Sequence, residues 1–296
     1  MVYFEPMKHA RLGNWLFQYA VAASAGDGHV ATLDTLYSRE AKVRYADFLH
    51  DLELVDRFPD HALRFVEDRR KYIKIPACGK DRCLVLNGYF QQEKYLDRSK
   101  FKRSFSIPKD KMNRYQLQFG DWLSRPKVTS IHVRRGDYLR LAHCHPFVGE
   151  QYFKNCLERL SEVQDFMVFS DDMAWCKSFF SKTFRNRCFN FVEGTDLLDD
   201  IHLQSLCQNN IISNSSFSWW GAYLNEHAAK RVLAPSNWFG FYLKIQGITG
   251  QGMFYEGMEI VPVSIPLSSH VGAVMDMLRE TPKNLAATIY HCLKRS

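Results

Sequence analysis

VTSIHVRRGDY, residues Val128 to Tyr138, decides the reading of this chain. The run Val128–Val133 is rich in β-branched residues and reads as a strand entering a core. It delivers one histidine, two arginines and one carboxylate to its C-terminal end. Side chains alternate along a strand, so His132 and Arg134 share one face while Arg135 turns to the other. A cation at that end is a candidate anion site. The alternative is a surface salt bridge among Arg134, Arg135 and Asp137, worth less than about 1 kcal/mol. Arg135-Gly136-Asp137 in an exposed loop would suit adhesion, but the preceding strand argues against such a loop.

Working outward, the same grammar recurs. PheMetValPheSerAspAsp (166–172) is an apolar run ending in carboxylates and followed by a helix-compatible segment. PheAsnPheValGlu (189–193) precedes a polar turn and a helical pattern over 200–207. IleIleSerAsnSerSerPheSerTrpTrpGlyAlaTyrLeu (211–224) gives a short strand, a serine-rich turn and an aromatic helix. Strands alternating with helices predict an α/β fold with a parallel sheet and right-handed crossovers. The motifs at 134–137, 170–172 and 214–216 each lie after a strand and before a helix. That is the edge of a parallel sheet where ligands bind, so the three motifs can face one cleft.

Each motif offers a distinct chemistry. Asn214, Ser215 and Ser216 supply hydroxyls and, at a helix start, free amides with a favourable dipole. Arg134 adds a planar, permanently charged fork suited to phosphate oxygens. Together they describe a diphosphate pocket, although the serines also serve as caps. Asp171 and Asp172 read as a cap for the next helix, or as a metal pair for which no third oxygen ligand is near in sequence. Asp200 heads a helix, where a cap is the default; a carboxylate there could also accept from the N1 and N2 donors of guanine. For a general base the candidates are Asp137, Glu150, His143 and His145, with Asp137 equally able to orient an arginine.

The first half opens with a short strand, Val2–Phe4, and a helical pattern through Leu16, Tyr19, Ala20 and Ala23. Asn14, behind Gly13, reads as the helix cap or as a substrate contact. CysLeuValLeuAsnGlyTyrPheGlnGln (83–92) is a buried strand and a turn at Asn87-Gly88, after which Tyr89, Phe90 and Gln91 pack in the core or line a cleft. ArgProLys (125–127) is the best candidate domain boundary.

Composition sets the outer limits. At 296 residues and 46% hydrophobic content the chain can bury a core and hold two domains. Its net charge of +7 suits a polyanion or a phosphate-bearing substrate. The basic residues are scattered, with short runs such as AspArgArgLys at 68–71, and no nucleic-acid-binding signature appears. The eight cysteines make no CxxC pair and read as reduced thiols, with Cys78 and Cys83 the pair best placed to bridge. No leader pattern and no span of about 20 apolar residues appears, so a soluble, cytoplasmic protein is expected.

HisValArgArgGlyAspTyr (132–138), PheSerAspAsp (169–172) and AsnSerSerPheSerTrpTrpGlyAla (214–222) resemble three motifs of the α-1,2-fucosyltransferases, glycosyltransferase family 11. LeuGlyAsn with LeuPheGlnTyrAla (12–20) resembles the family's N-terminal motif, and residues 87–96 are similar to a further stretch. The resemblance spans roughly residues 10 to 238. It implies a GT-B architecture of two Rossmann-like domains with parallel sheets and a cleft between them. Residues 1–126 would be the acceptor-side domain and 127–240 the GDP-fucose-binding domain, with 241–296 a tail whose helices pack back across both.

The implied activity is that of an inverting, metal-independent galactoside 2-α-L-fucosyltransferase. It would use GDP-β-L-fucose and a galactose-terminated acceptor glycan, with no cofactor and no nucleic-acid partner. Alternatives are a GDP-sugar transferase of different donor or linkage, or a basic nucleic-acid-binding protein. By the same resemblance Arg134 grips the β-phosphate, Ser215 and Ser216 meet the phosphates, Asp200 and His132 lie near the guanosine, and Asn14 sits near the transferred sugar. Asp137 is the remaining catalytic candidate, with Asp171, Asp172 and Asn214 on the donor side. Trp15 stands where the family usually has glutamine, which predicts a reshaped acceptor or fucose pocket.

Overall fold

The computed structural model of the chain describes residues 1–8, 10–78 and 82–264. Two parallel sheets dominate it. The first is built from β1 (Val2–Phe4), β2 (Val30–Leu33), β3 (Glu53–Val55), β4 (Leu63–Val66) and β5 (Leu84–Asn87), in the order β3-β2-β1-β5-β4. The second is built from β6 (Thr129–Val133), β7 (Asp165–Ser170), β8 (Cys188–Phe191), β9 (Asn209–Ile211), β10 (Val232–Pro235) and β11 (Met258–Val261), in the order β11-β10-β9-β6-β7-β8. Every pairing in both is parallel. Between the strands run α1 (Leu12–Ala25), α2 (Leu36–Arg44), α3 (Ala46–Leu49), α4 (Arg98–Phe101), α5 (Lys109–Leu123), α6 (Glu150–Arg159), α7 (Met173–Thr183), α8 (Leu197–Leu206), α9 (Ser216–Leu224) and α10 (Phe241–Ile245).

The second sheet is doubly wound. From β6 the chain moves outward through β7 to β8, then returns to β9 on the other flank and moves outward through β10 to β11. Its direction reverses between β6 and β9, and a crevice opens where such a reversal occurs. The strand ends at that point carry Arg134 and Asn214. The first sheet reverses between β1 and β5, whose ends lead into α1 and the turn 88–92. The α/β reading from the strand–helix alternation and the two Rossmann-like sheets implied by the family resemblance are therefore present.

An aromatic seam joins the halves. Phe17 of α1 lies 4.6 Å from Trp219 and 4.9 Å from Trp220 of α9, centroid to centroid. One continuous core contains Phe4, Trp15, Phe17 and Tyr19 together with Ile212, Trp219 and Trp220. Helix α1 is apolar nearly all round because it is enclosed on all sides. Each fully buried large side chain contributes roughly 1.5–3 kcal/mol, so the seam resists the hinge motion that a polar interface would allow.

Two expectations about boundaries change. Helix α5, assigned to the first domain by the division at residue 126, packs Tyr115 and Phe119 against Val128, Met167, Phe169 and Leu203 of the second half. The second sheet runs past residue 240, because β11 pairs with β10 from Val232↔Met258 to Pro235↔Val261. The amphipathic stretches expected near 271–278 and 285–293 lie outside the described residues. Trp15 also departs from expectation. It is fully buried against Phe4 and Tyr37 in the first half's core and does not line the cleft. Cys83 is a free thiol, as are Cys144, Cys156, Cys176, Cys188 and Cys207.

Candidate active site

A cleft of about 800 Å³ lies between the two sheets at their reversal points. Asn14, His132, Arg134, Asp137, Asp171, Asp200, Asn214, Ser215 and Ser216 all line it. Of the residues expected from the sequence, Asp172 and the base candidates Glu150 and His143 stand outside. Asp172 Oδ1 accepts from the Trp175 amide at 3.2 Å, capping α7, and its Oδ2 pairs with Arg135. Arg135 faces α7, with its guanidinium over Trp175 and Phe147.

Arg134 is held in place by carboxylates. It donates through Nη2 to Asp137 Oδ2 at 2.8 Å and lies 3.1 Å through Nη1 from Asp171 Oδ2. Asp171 Oδ1 accepts from the amides of Arg135 (2.9 Å) and Gly136 (3.2 Å), fixing the loop after β6. A β-carbon on Gly136 would come within 2.9 Å of that carboxylate, so the approach depends on glycine. Asp171 and Asp172 thus serve different arginines and diverge; they do not form a paired carboxylate site. Arg11, from the other half, reaches Asp137 Oδ2 at 3.0 Å.

The serine turn is fastened to the same strand end. Ser213 Oγ donates to the His132 carbonyl at 2.7 Å and accepts from the Arg134 amide at 3.1 Å. Tyr138 donates to the Asn214 carbonyl at 3.1 Å, and Asn214 Nδ2 donates to the carbonyls of Pro146 and Trp238. Ser215 caps α9 through its side chain. Asn214 has a structural grip and leaves only a buried, unpartnered Oδ1.

Asn14 is not the cap of α1. Arg11 occupies that position, and Asn14 sits in the first turn. Its Oδ1 accepts from Gln91 Nε2 at 2.7 Å and from Ser216 Oγ at 3.0 Å, tying three segments across the seam. Gly13 makes this possible: a β-carbon there would lie 2.6 Å from Ser216 Oγ and 2.7 Å from the Phe217 nitrogen. Trp220 Nε1 donates to the Gly13 carbonyl at 3.0 Å, locking the two helix starts together. Both starts line the cleft with the positive end of the helix dipole.

The titratable groups divide by environment. Burial pushes His132 down to about 4, with the charge of Asp171 opposing, so the ring is neutral at neutral pH; its Nδ1 has no partner. His145, also on the cleft wall, is pushed down to about 4 by burial and by Arg69. Asp200 goes the other way, raised to about 6 by burial, while Thr195 donates to its Oδ1 at 2.6 Å. Asp196, not Asp200, caps α8. Glu150 is in the first turn of α6 beside Lys154, and neither it nor His143 lines the cleft.

Several lining residues were not singled out from the sequence. Tyr138 joins the arginine motif to the serine turn. Arg69 belongs to the charge run at 68–71, yet its guanidinium lies 5.1 Å from the Tyr89 ring and 5.8 Å from the Phe239 ring. Nothing local distinguishes it from a solvated arginine. For residues 89–91, where core and cleft were both open, the structure divides them: Phe90 is fully buried, and Tyr89 and Gln91 line the cleft.

Residues 34–241 match the family described as Glycosyl transferase family 11. Among curated relatives, an α-1,2-colitosyltransferase of Escherichia coli is 33% identical over 159 residues, covering 51% of this chain and 55% of that protein. The O-antigen biosynthesis glycosyltransferase WbnK of Escherichia coli is 38% identical over 118 residues, covering 38% and 39%. Human galactoside α-(1,2)-fucosyltransferase 1 is 30% identical over 118 residues, covering 37% and 32%. The chain thus spans from about a third to just over half the length of these relatives. Among solved structures, POFUT1 in complex with GDP-fucose aligns with a TM-score of 0.38 at 12% identity, over 77% of this chain and 94% of that one.

Proposed function

The chain belongs to glycosyl transferase family 11, and from that premise we propose that it transfers L-fucose from GDP-β-L-fucose to the 2-hydroxyl of a terminal galactose, with inversion. One observation carries the reading: Arg134, the start of α9 and Asn14 meet in one cleft at the reversal points of two parallel sheets. The acceptor oxygen forms a bond to the anomeric carbon as the bond from that carbon to the β-phosphate oxygen breaks. The electron pair leaves with GDP. Arg134 and the amides at the start of α9 stabilise the charge that develops there. Asp200, ionised above pH 6, accepts from the N1 and N2 donors of guanine, with neutral His132 lining the same cleft. Asp137, held on Oδ2 by both Arg134 and Arg11, orients the phosphate-binding arginine. The hydroxyl proton departs late, to water, because an oxocarbenium-like transition state asks little of a base.

A second donor is favoured by a specific finding, the similarity to a colitosyltransferase. Both readings share a GDP-sugar, the cleft and the leaving group. GDP release from GDP-fucose, GDP-colitose and GDP-mannose across a panel of β-galactosides, followed by linkage analysis, separates them. Release from none of the three would sink the glycosyltransferase reading for this chain.

A further inference from the structure

A second cavity, of about 480 Å³, adjoins the cleft and shares Arg69, Gln91 and Phe239 with it. That size is within the range of about 300–1,000 Å³ typical of small-molecule sites. We propose that it binds the sugar unit next to the acceptor galactose, an uncharged pyranose; this rests on the glycosyltransferase reading above.

Position is the first argument. Gln91 forms wall to both cavities and donates to Asn14, which in turn accepts from Ser216. A ligand running past Gln91 therefore has one end beside the reacting centre and the other in the second cavity. On the reading above, the diphosphate and base lie against Arg134, Asn214 and Asp200, all in the second half of the chain. The route past Gln91 falls to the acceptor.

Wall chemistry is the second argument. Tyr72, 40% exposed, lines the cavity with its ring 4.8 Å from Tyr95 and the Lys94 ammonium 6.0 Å from its centroid, and Phe254 is also in the wall. Gln92, Glu93 and Lys94 add an amide, a carboxylate and an ammonium group. An aromatic face bordered by mixed hydrogen-bonding groups suits the apolar face and hydroxyl edge of a sugar ring. Hydrocarbon would leave those polar groups without partners. The charges nearly cancel: Arg70 is bound to Asp68, and Glu67 accepts from the amides of Tyr89 and Phe90 at 2.8 Å each. The other charged lining residues are Arg69, Lys71 and Lys94 with Glu93 and Glu256, a near balance that sets up no strong field for an anion.

The cavity is also built, not left open. Residues 248–256 of the second half close over Gln92 of the first. A β-carbon on Gly252 would lie 2.1 Å from Gln92 Cγ, and one on Gly250, whose φ is +78°, 2.6 Å from Trp238 Cβ. Only glycine permits that contact, so the loop's placement fixes the shape of the cavity.

The test uses Tyr72→Ala, Tyr72→Phe and Lys94→Ala, none of which lines the main cleft. KM is measured for methyl β-galactoside and for a β-galactosyl disaccharide, with GDP affinity followed by calorimetry. Wild type is expected to favour the disaccharide by about tenfold in KM. Tyr72→Ala should abolish that preference and leave the monosaccharide KM and GDP affinity unchanged. Tyr72→Phe, which keeps the ring face, should retain it. Equal KM for the two acceptors in wild type, or a preference that survives Tyr72→Ala, overturns the subsite. If GDP does not bind, the donor reading fails by itself. Saturation-transfer NMR with the disaccharide alone then decides the subsite: contacts to the second ring lost in Tyr72→Ala support it, and contacts retained refute it.

Discussion

Replacing Arg134 with alanine separates the chemical role of this residue from its structural one, because the structure allows each to be sized. Its side chain is 19% exposed and touches two carboxylates. After truncation Asp137 keeps Arg11 at 3.0 Å, and Asp171 keeps the amides of Arg135 and Gly136. Neither carboxylate is stranded, so the folding cost is that of a screened ion pair, about 1 kcal/mol. For a chain of this size that lowers Tm by roughly 2–4 °C. The cost to turnover is larger, since a donor aimed at developing charge is lost: about 3–4 kcal/mol, a fall of 10²–10³ in kcat. Arg134→Lys keeps the charge but not the two-pronged fork and should fall between alanine and wild type. A coupled GDP-release assay at saturating donor, with thermal melts on the same preparations, reads both quantities. Turnover within threefold of wild type would refute the phosphate assignment; a Tm fall beyond about 10 °C would show that the loss comes from unfolding.

Three further outcomes follow from the same geometry. Asp200 must be ionised to accept from guanine, and its pKa is raised to about 6, so GDP affinity should fall as pH drops through 6, by up to about tenfold per unit; calorimetry from pH 5 to 8 measures this, and Asp200→Asn should bind weakly with no such dependence. Trp15→Gln, which installs the residue the family resemblance leads one to expect, should cost about 3–5 kcal/mol of stability through lost burial while leaving donor preference unchanged at 20 °C. A changed donor or acceptor profile in that variant would show that Trp15 does shape the pocket. Ser216→Ala retains the backbone amide and should lower kcat by no more than about tenfold, whereas Asn14→Asp removes amide donors and sets a carboxylate beside the leaving diphosphate, for a loss of about 10³ or more; equal effects from the two would contradict the hydrogen-bond directions seen here.

What was legible in the sequence was whatever physics writes locally. The strand ending at Val133, the run Phe166–Ser170 and the serine turn each carry their own period and punctuation, and together they mark the edge of the second sheet that lines the cleft. Caps were read one turn out of place: Asn14 and Asp200 are cap-type residues, but Arg11 and Asp196 hold those positions, since packing at the seam fixes where α1 begins. Strands β2, β3, β4, β10 and β11 are three or four residues long, too short to announce a period, and β11 was therefore absorbed into a tail. Trp15 follows a motif that marks the cleft, yet in a helix one residue past Asn14 turns about 100° away, into the core. Arg69 and Tyr138 become site residues only through partners far off in sequence, information that no window of a single chain contains.

Hydrogen-bond direction at the seam narrows what each group can do for a substrate. Asn14 Oδ1 accepts from both Gln91 and Ser216, which uses the two lone pairs of that oxygen and fixes the orientation of the amide. Its NH₂ group is then left to donate into the cleft, toward a sugar oxygen or the bridging phosphate oxygen. Ser216 has one hydroxyl proton, and it is committed to Asn14, so its contact with an anion falls to its backbone amide at the start of α9. Gln91 spends one amide proton on Asn14 and keeps its carbonyl oxygen as an acceptor, the polarity that an acceptor hydroxyl needs. On the proposed reading, donors collect where negative charge would grow and an acceptor lies where a hydroxyl would be held. This sorting depends on Gly13, because any side chain there would separate Asn14 from Ser216 and release both groups from their assigned directions.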